Sequence, residues 1–188
     1  MIKAVFFDYT GIFSAPMITT IYRKLQEKGK ELDPIRFKTL MNDDRLLTGA
    51  AGTLNDLLNT DFFDLDVKAD EIIDITSNLP LYDKNWFIAR ELRARNIRLG
   101  ILSNQFAESA KAVREKSDVR YVFDKRLTYL SSEVGLTKKS SEFFQLAKEL
   151  NGIRKGQMVL VDSNEKSLAK GNQLGYLCVW YYYRLDLR

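Results

Sequence analysis

The sequence predicts an α/β protein with a doubly wound parallel sheet, and three observations lead to that prediction. Three nearly continuous apolar runs, residues 2–7, 97–102 and 158–161, are typical of strands buried on both faces. From about residue 83 onward strand and helix patterns alternate, as expected where right-handed crossovers connect parallel strands. Each apolar run also ends in a polar residue. We therefore expect an α/β core of three layers whose sheet collects polar groups at one edge.

Composition indicates one domain, or a domain with an insert. The chain has 188 residues, 45% of them hydrophobic. No segment approaches the roughly 18 apolar residues of a membrane span, and Asp8 closes the N-terminal apolar run too early for a signal peptide. The single cysteine, Cys178, lies in an apolar run and is expected to be a buried, inert thiol. We therefore expect a soluble cytoplasmic protein with no membrane contact.

The chain contains no histidine. This absence excludes Ser-His-Asp and Cys-His mechanisms and the usual catalytic zinc sites. Any chemistry must use carboxylates, lysine, hydroxyl groups or a metal bound by oxygen atoms. The net charge of +4 is mild, and the arginines between residues 90 and 98 are typical of a solvated helix face. No nucleic-acid partner is expected, and the oligomeric state is left open.

The first apolar run leads into Asp8 and then Gly11, which allows a sharp turn. At the carboxyl end of a central parallel strand, Asp8 occupies the place where open α/β sheets bind ligands. By itself the position is equally compatible with a carboxylate that only caps the following turn.

Residues 15–83 are predicted to be a helical insert with its own apolar core, which divides the chain into a core of residues 1–14 and 84–188 and a cap of residues 15–83. Gly29 is a plausible helix stop, and Asp33 followed by Pro34 predicts a helix N-terminus. Arg36 and Arg45 are candidate substrate contacts, although exposed residues without a function have the same pattern.

The second half returns to alternating helices and strands. Ser103 and Asn104 follow the strand at 97–102, and Asp162 follows the strand at 158–161. The remaining expected elements begin with helices at 86–92 and 106–116 and a short strand near 127–130. A helix that is capped by Ser140 or Ser141 then carries Leu150 and stops at Gly152. A last helix stops at Gly175, and an aromatic strand follows at 176–183.

Asp8, Ser103 and Asp162 are expected to meet because the carboxyl ends of parallel strands share one edge. Lys138 precedes a helix between the second and third of them. These four residues form a plausible phosphoryl-transfer set: Asp8 attacks phosphorus, Ser103 and Lys138 bind non-bridging oxygens, and Asp8 with Asp162 holds Mg²⁺. The alternatives are that Ser103 and Asn104 only cap a helix, and that Lys138 is solvated or replaced by Lys139.

Four segments, residues 6–11, 101–104, 132–138 and 159–164, resemble in order the four motifs of the haloacid dehalogenase (HAD) superfamily, whose members are mostly phosphatases. The resemblance covers nearly the whole chain and implies a Rossmann-like core, with a helical cap where the insert lies. It implies Asp8, Thr10, Ser103 and Lys138 as catalytic residues, Tyr9, Gly11, Ser103, Asn104 and Lys138 as substrate-binding residues, and Asp8, Thr10 and Asp162 as metal ligands. Tyr9 is expected near the mouth of the site, with its backbone N–H more useful than its ring.

The chain departs from the family pattern at two positions. Thr10 stands where the phosphatases carry a second aspartate as general acid and base, and losing such a group typically costs about 10²–10⁴-fold in rate. Ser163 stands where the fourth motif has a second acidic residue, which should weaken Mg²⁺ binding. Threonine at the first position also resembles P-type ATPases and implies a phosphoenzyme that turns over slowly.

Two alternatives remain beside a weak Mg²⁺-dependent phosphatase of a small phosphorylated metabolite. The 2-haloacid dehalogenases also lack the second aspartate and need no metal, and Ser163-Asn164 resembles their fourth motif. However, they have tyrosine in place of Thr10, an aspartate in place of Ser167, and no metal ligand in place of Asp162. The other alternative is a non-catalytic member that binds a phosphorylated metabolite or a protein.

Overall fold

The centre of the fold is a parallel sheet of five strands. The computed structural model describes residues 1–60, 63, 65–149, 153–154 and 156–182. The strand order is β3-β2-β1-β4-β5, and every neighbouring pair is parallel. This architecture confirms the fold predicted from the apolar runs. The strands are β1 (Ala4–Phe7), β2 (Arg98–Ser103), β3 (Thr128–Leu130), β4 (Met158–Asp162) and β5 (Leu177–Trp180).

Among the residues that the structure describes, five helices are inserted between β1 and the next core helix, as predicted. We call these five helices the cap: α1 (Met17–Glu27), α2 (Pro34–Met41), α3 (Asp44–Leu47), α4 (Leu54–Leu58) and α5 (Ala69–Ser77). The core helices are α6 (Asp83–Ala94), α7 (Ala107–Glu115), α8 (Ser117–Val122), α9 (Ser131–Val134), α10 (Ser141–Glu149) and α11 (Glu165–Gln173), with a 3₁₀ turn at Lys125–Leu127.

The two faces of the sheet are covered by separate apolar clusters. On one face Val5 and Phe7 of β1 pack with Trp86 of α6. On the other face Phe6 packs with Phe143 of α10. Because successive side chains of a strand point to opposite faces, β1 contributes to both clusters and is buried on both sides. The result is the expected order of helix layer, sheet and helix layer.

The cap and the loops that join its helices have an apolar cluster of their own, and of its described buried residues only Phe106 comes from outside residues 15–83. Local signals set the helix ends where the sequence predicted them. Asp33 accepts a hydrogen bond from the backbone N of Arg36 at 2.7 Å, and Gly29 has φ +77° after α1. The separate cluster is consistent with a division at residues 14/15 and 83/84, which stays a prediction.

A buried carboxylate joins the cap to the core. Glu108 of α7 accepts hydrogen bonds from the backbone N of Leu54 at 3.3 Å and of Asn55 at 3.1 Å, at the start of α4. α7 also packs along α5. The sequence analysis did not single out Glu108, because its two partners lie more than fifty positions earlier in the chain.

Several smaller predictions can also be compared with the structure. Ser140, rather than Ser141, caps α10, since its Oγ accepts a hydrogen bond from the backbone N of Phe143 at 3.3 Å. Cys178 is half-buried, and burial raises the pKa of its thiol. In the described part of the chain, no helix combines the length and apolarity that a membrane crossing requires. The predicted positions of Leu150, Gly152 and Tyr183 lie outside the described residues.

Candidate active site

The carboxyl edge of the sheet brings three predicted residues together. β1 lies between β2 and β4, with Phe7 in register with Ile101 and Val161. Asp8 therefore leaves β1 beside the ends of both neighbouring strands, where Ser103 and Asp162 are located. The convergence follows from the strand order alone.

Lys138 reaches the same edge from the loop between α9 and α10. Gly135 ends α9 with φ +69°, a conformation that favours glycine. The backbone N of Lys138 then donates a 2.9 Å hydrogen bond to Oδ1 of Asn104, directly after β2. Lys138 is therefore the lysine that enters the site. Its neighbour Lys139 instead pairs with Asp44 of the cap at 3.0 Å.

Both carboxylate oxygens of Asp8 are held in place. Oδ1 accepts hydrogen bonds from the Ser103 hydroxyl at 2.6 Å and from the backbone N of Tyr9 at 2.8 Å. Oδ2 lies 2.8 Å from Nζ of Lys138. Hydrogen bonds to a charged acceptor are short and strong, so the orientation of this carboxylate is fixed before any substrate binds.

The ammonium group of Lys138 lies between two carboxylates. Its Nζ is 2.8 Å from Asp8 and 2.9 Å from Asp162, and its side chain is only 8% exposed. Burial alone would lower the pKa of Lys138, but the two carboxylates outweigh that effect and raise it. Burial and the nearby charge of Asp8 raise the pKa of Asp162, although the ammonium and the backbone N of Asn164 act against them. One ammonium between two carboxylates leaves one net negative charge.

The donor set fits a weakly held Mg²⁺. Asp8 and Asp162 supply the carboxylate oxygens that Mg²⁺ prefers, and this ion commonly uses one or two carboxylates plus phosphate and water. A divalent cation would neutralise the uncompensated negative charge and would lower the raised pKa of Asp162. Within the described residues, no group of three or more acidic, histidine or cysteine side chains could hold a metal. The role of Thr10 as a third ligand stays a prediction.

The turn after Asp8 carries the residue that replaces the usual acid. Oγ1 of Thr10 accepts a hydrogen bond from Nε2 of Gln105 at 3.3 Å. Gly11 follows with φ +87°, so a side chain there would be strained even though the nearest atom to a Cβ, Oγ of Ser163, is 3.8 Å away. Gly11 therefore shapes the turn that presents Thr10, and its predicted contact with substrate stays a prediction.

A cavity of about 610 Å³ lies between this edge and the cap. Its wall is mainly apolar and comes from the cap. The polar floor consists of Asp8, Thr10, Asn104, Lys138, Ser163 and Asn164, and the wall includes Met17, Ile18, Tyr22, Phe37, Met41 and Leu47. A cavity with a few polar groups at one end and an apolar wall is typical of a small-molecule site.

Two predicted residues lie behind the cavity floor rather than on it. Ser103 and Asp162 are fully buried and act on Asp8 and Lys138, so the predicted contact of Ser103 with substrate stays a prediction. The ring of Tyr9 was expected near the mouth, and that expectation is wrong. The ring is 1% exposed and packs edge-on against Trp86 in the core, because the turn after Asp8 directs it away from the cavity.

The cap residues proposed from the sequence do not line this cavity. Arg45 pairs with Asp43 at 2.8 Å on the surface, and Arg36 lies outside the described cavity lining. Lys38 lines it instead. Phe37 and Met41, on one face of α2, belong to the expected apolar core of the insert and also line the cavity wall. Helical spacing shows which residues share a face, but it does not tell a core from a cavity.

Gln105 is the buried site residue that the sequence analysis missed. It follows Ser103 and Asn104, and its Nε2 lies 2.8 Å from Oγ of Ser103 and 3.3 Å from Oγ1 of Thr10. The signal available in the sequence was a third polar residue in a row at the end of an apolar strand.

Comparison with known proteins agrees with this geometry. Residues 2–175 match a family model described as hydrolase, haloacid dehalogenase-like hydrolase. No curated protein matches the chain.

Solved structures share the fold at low sequence identity. A HAD family enzyme from Bacteroides thetaiotaomicron has a TM-score of 0.80 at 20% identity, over 99% of this chain and 96% of its own. A variant of that enzyme with an aspartate-to-alanine substitution, in complex with magnesium and inorganic phosphate, has a TM-score of 0.77 at 21% identity, over 100% and 97%.

Two further structures represent different activities. A HAD phosphatase from Thermococcus onnurineus has a TM-score of 0.67 at 20% identity, over 98% of this chain and 88% of its own. A dehalogenase has a TM-score of 0.68 at 18% identity, over 95% and 84%. At these identities the likeness establishes the fold alone.

Proposed function

We propose that this chain, which belongs to the haloacid dehalogenase-like hydrolase family, is a Mg²⁺-dependent phosphatase. It acts on a small phosphorylated metabolite through an aspartyl phosphate on Asp8. The observation that carries the proposal is the oriented carboxylate of Asp8. It lies at the floor of the cavity between the sheet edge and the cap, held by Ser103 and paired with the ammonium of Lys138. The magnesium and inorganic phosphate bound by the variant of the Bacteroides thetaiotaomicron enzyme add support.

The first step is attack of an Asp8 oxygen on the phosphorus of the substrate. The bond between phosphorus and the ester oxygen breaks, and Asp8 becomes an aspartyl phosphate while the leaving oxygen departs as an alkoxide that takes its proton from water. Lys138 stabilises the charge that develops on the phosphoryl oxygens, and Ser103 keeps the carboxylate oriented. Bound Mg²⁺, held by Asp8 and Asp162, would supply positive charge that reduces repulsion between carboxylate and phosphate.

The second step is attack of water on the aspartyl phosphate, which releases inorganic phosphate and regenerates Asp8. In both steps a proton must reach or leave an oxygen near Thr10, whose hydroxyl group does not ionise at neutral pH as a carboxylic acid does. The missing acid and base should slow turnover by about 10²–10⁴-fold. Esters of acidic alcohols, which leave without protonation, should therefore be the best substrates.

Hydrolysis of p-nitrophenyl phosphate and a panel of phosphorylated metabolites, with and without Mg²⁺, tests the proposal. Asp8→Asn removes the nucleophile and should abolish turnover. Asp70→Asn makes the same chemical change at an exposed position of the cap and should leave turnover unchanged. Mg²⁺-dependent hydrolysis that is lost in the first variant alone supports a phosphatase. The absence of turnover across the panel contradicts it and favours a binding role.

The intermediate can be sought directly. Incubation with acetyl phosphate and Mg²⁺ should add one phosphoryl group to Asp8, and slow hydrolysis should let the adduct persist long enough for peptide mass spectrometry. No adduct on Asp8 in a protein that hydrolyses phosphate esters would contradict the covalent mechanism.

A second candidate is a metal-independent dehalogenase. It is favoured by the direct pairing of Lys138 with Asp8 and by the lack of a second carboxylate at Thr10. The carboxylate of Asp162 ranks it lower, because it stands where the dehalogenases have no metal ligand and gives the site a second carboxylate beside Asp8. Release of chloride from chloroacetate in the presence of a metal chelator would favour the dehalogenase.

A further inference from the structure

Gln105 connects Thr10, in the turn after β1, with Ser103 at the end of β2. It is fully buried between β2 and α7. Its side-chain nitrogen Nε2 reaches Oγ of Ser103 at 2.8 Å and Oγ1 of Thr10 at 3.3 Å. A primary amide has two N–H groups, so each hydroxyl receives one of them.

The backbone of Gln105 is anchored on the other side. Its N donates to Oγ of Ser131 at 2.8 Å, and its carbonyl oxygen accepts from the same hydroxyl at 3.0 Å and from the backbone N of Ser132 at 3.2 Å. Both backbone groups are therefore bound to the start of α9. This double attachment fixes the backbone from which the Gln105 side chain reaches the two hydroxyl groups.

The direction of the hydrogen bonds follows from Asp8. Its carboxylate, paired with Lys138, only accepts hydrogen bonds, and the single hydrogen of Ser103 is donated to Oδ1 at 2.6 Å. Ser103 must then accept from Gln105, which turns the NH₂ end of the amide towards it. The opposite amide oxygen, Oε1 of Gln105, is buried with no hydrogen-bond partner in the described part of the chain.

The unpartnered oxygen of Gln105 argues against a purely structural role for this residue. A buried carbonyl without a partner costs free energy. A methionine side chain would fill similar space without the unpartnered oxygen, but it would also lose the two hydrogen bonds that the amide nitrogen donates. The unpartnered oxygen offsets part of what those two bonds contribute, so stability alone gives little preference for glutamine over an apolar residue in this position.

We propose that Gln105 is a positioning residue for the reaction at Asp8, an inference that rests on the proposed phosphatase function. Its amide fixes the Ser103 hydroxyl as a donor to Asp8, which keeps the carboxylate in the orientation needed for attack. The same amide binds the oxygen of Thr10 and leaves the Thr10 hydrogen free to face the cavity floor. The carboxylate that the usual pattern places at Thr10 could not present a hydrogen in this way when ionised.

The first test is kinetic. Gln105→Met should lower kcat for p-nitrophenyl phosphate roughly 10- to 100-fold, as misplacement of a reacting group does, with a much smaller change in KM. Its urea midpoint should stay close to that of the wild type, because removal of the buried unpartnered oxygen offsets the loss of the two donated hydrogen bonds. Gln145→Met makes the same change on α10, outside the cavity lining, and should leave both quantities unchanged. A fall in the urea midpoint with unchanged kcat would mean a structural role and overturn the proposal.

A double variant tests whether Gln105 acts through Ser103. Ser103→Ala removes the hydroxyl group that Gln105 orients. Gln105→Met should then add no more than about a factor of two, because residues acting through one contact are non-additive. Fully multiplicative losses would show that Gln105 does not act through Ser103 and would overturn the proposal.

A measurement without turnover keeps this inference separate from the proposed function. In ¹⁵N-labelled protein, the Gln105 side-chain amide is identified by its loss in Gln105→Met. Ser103→Ala should change the chemical shift of one of the two amide hydrogens, and Thr10→Val should change that of the other. Both hydrogens should exchange with solvent far more slowly than those of the exposed Gln173.

Fast exchange and no shift in either variant overturn the Gln105 network whether or not the protein hydrolyses anything. If the two variants show the expected shifts but the wild-type protein hydrolyses no phosphate ester, the Gln105 network is upheld and the phosphatase function is contradicted.

Discussion

Replacing Lys138 by methionine tests the charge arrangement on which the site depends. Methionine keeps most of the length of the side chain and removes its charge. The lost ammonium lies 2.8 Å from Asp8 and 2.9 Å from Asp162, and Asp162 is fully buried. In Lys138→Met the two carboxylates face each other without a cation between them. We expect this variant to be strongly destabilised at neutral pH.

The expected loss in the free energy of unfolding is large. Removing one partner of a buried ion pair typically costs about 3–5 kcal/mol, because the remaining charge is left buried and uncompensated. With a urea dependence of about 2 kcal/mol/M, that loss moves the unfolding midpoint down by roughly 1.5–2.5 M. Added Mg²⁺ should restore part of the loss, because it binds carboxylates of the folded state.

The loss should also depend on pH in a defined direction. Burial and Asp8 already raise the pKa of Asp162 in the wild type, and removal of Lys138 raises it further. A raised carboxyl pKa means that the folded state binds a proton more readily than the unfolded state. The folded variant therefore gains stability relative to the wild type as the pH falls through that raised pKa. The difference between the two proteins should be largest at neutral pH and shrink towards pH 5.

Urea unfolding of both proteins between pH 5 and 8 measures this difference, and other titrating groups largely cancel in it. Lys139→Met is the matched control, because its side chain is 58% exposed and pairs with Asp44 at the surface. That variant should cost at most about 1 kcal/mol. A loss in Lys138→Met as small as in the control, or one that does not change with pH, would refute the reasoning.

The remaining predictions concern the missing acid, a strand glycine and the attachment of the cap. Thr10→Asp should raise turnover of phosphate esters of alkyl alcohols, which need a proton to leave, by at least about 10-fold, since a positioned general acid is worth about 10²–10⁴-fold. An unchanged rate would mean that Thr10 is not what limits turnover. Gly100→Ala places a Cβ 2.4 Å from the carbonyl oxygen of Leu127. It should cost about 1–3 kcal/mol in urea unfolding, as overpacking does, and a change near zero would contradict that contact. Glu108→Ala leaves the first two N–H groups of α4 without their acceptor. It should cost about 1–3 kcal/mol and speed hydrogen exchange at the start of α4, whereas Glu108→Gln should cost less because its remaining carbonyl oxygen still accepts.

Much of the fold could be predicted because its signals are local. The apolar runs before Asp8, Ser103 and Asp162 identify buried strands, and helices between them require parallel connections. Parallel strands end at one edge, so the meeting of these three residues follows from the order of elements. Asp33 and Gly29 mark helix ends for similarly local reasons.

The lysine of the site needed a long-range contact to be identified. Lys138 and Lys139 are adjacent and chemically equal in the sequence. The hydrogen bond from the backbone N of Lys138 to Asn104, 34 positions earlier, sets which of them points inward. The apolar wall of the cavity could not be identified from the sequence either. The helical stripe containing Phe37 and Met41 predicts a buried face, but it does not show whether that face covers a core or a cavity.

The sequence by itself determined the architecture, the strand ends that carry chemistry and the two departures at Thr10 and Ser163. These depend on residue periodicity and on the identity of single residues, which a chain displays without being folded. Only the tertiary structure decided that Gln105 binds Thr10 and that Glu108 binds the cap. The partners in these contacts lie 95 and more than 50 positions apart. Gln105 meets Thr10 because β1 and β2 are neighbours in the sheet, and Glu108 meets the cap because α7 packs along α5.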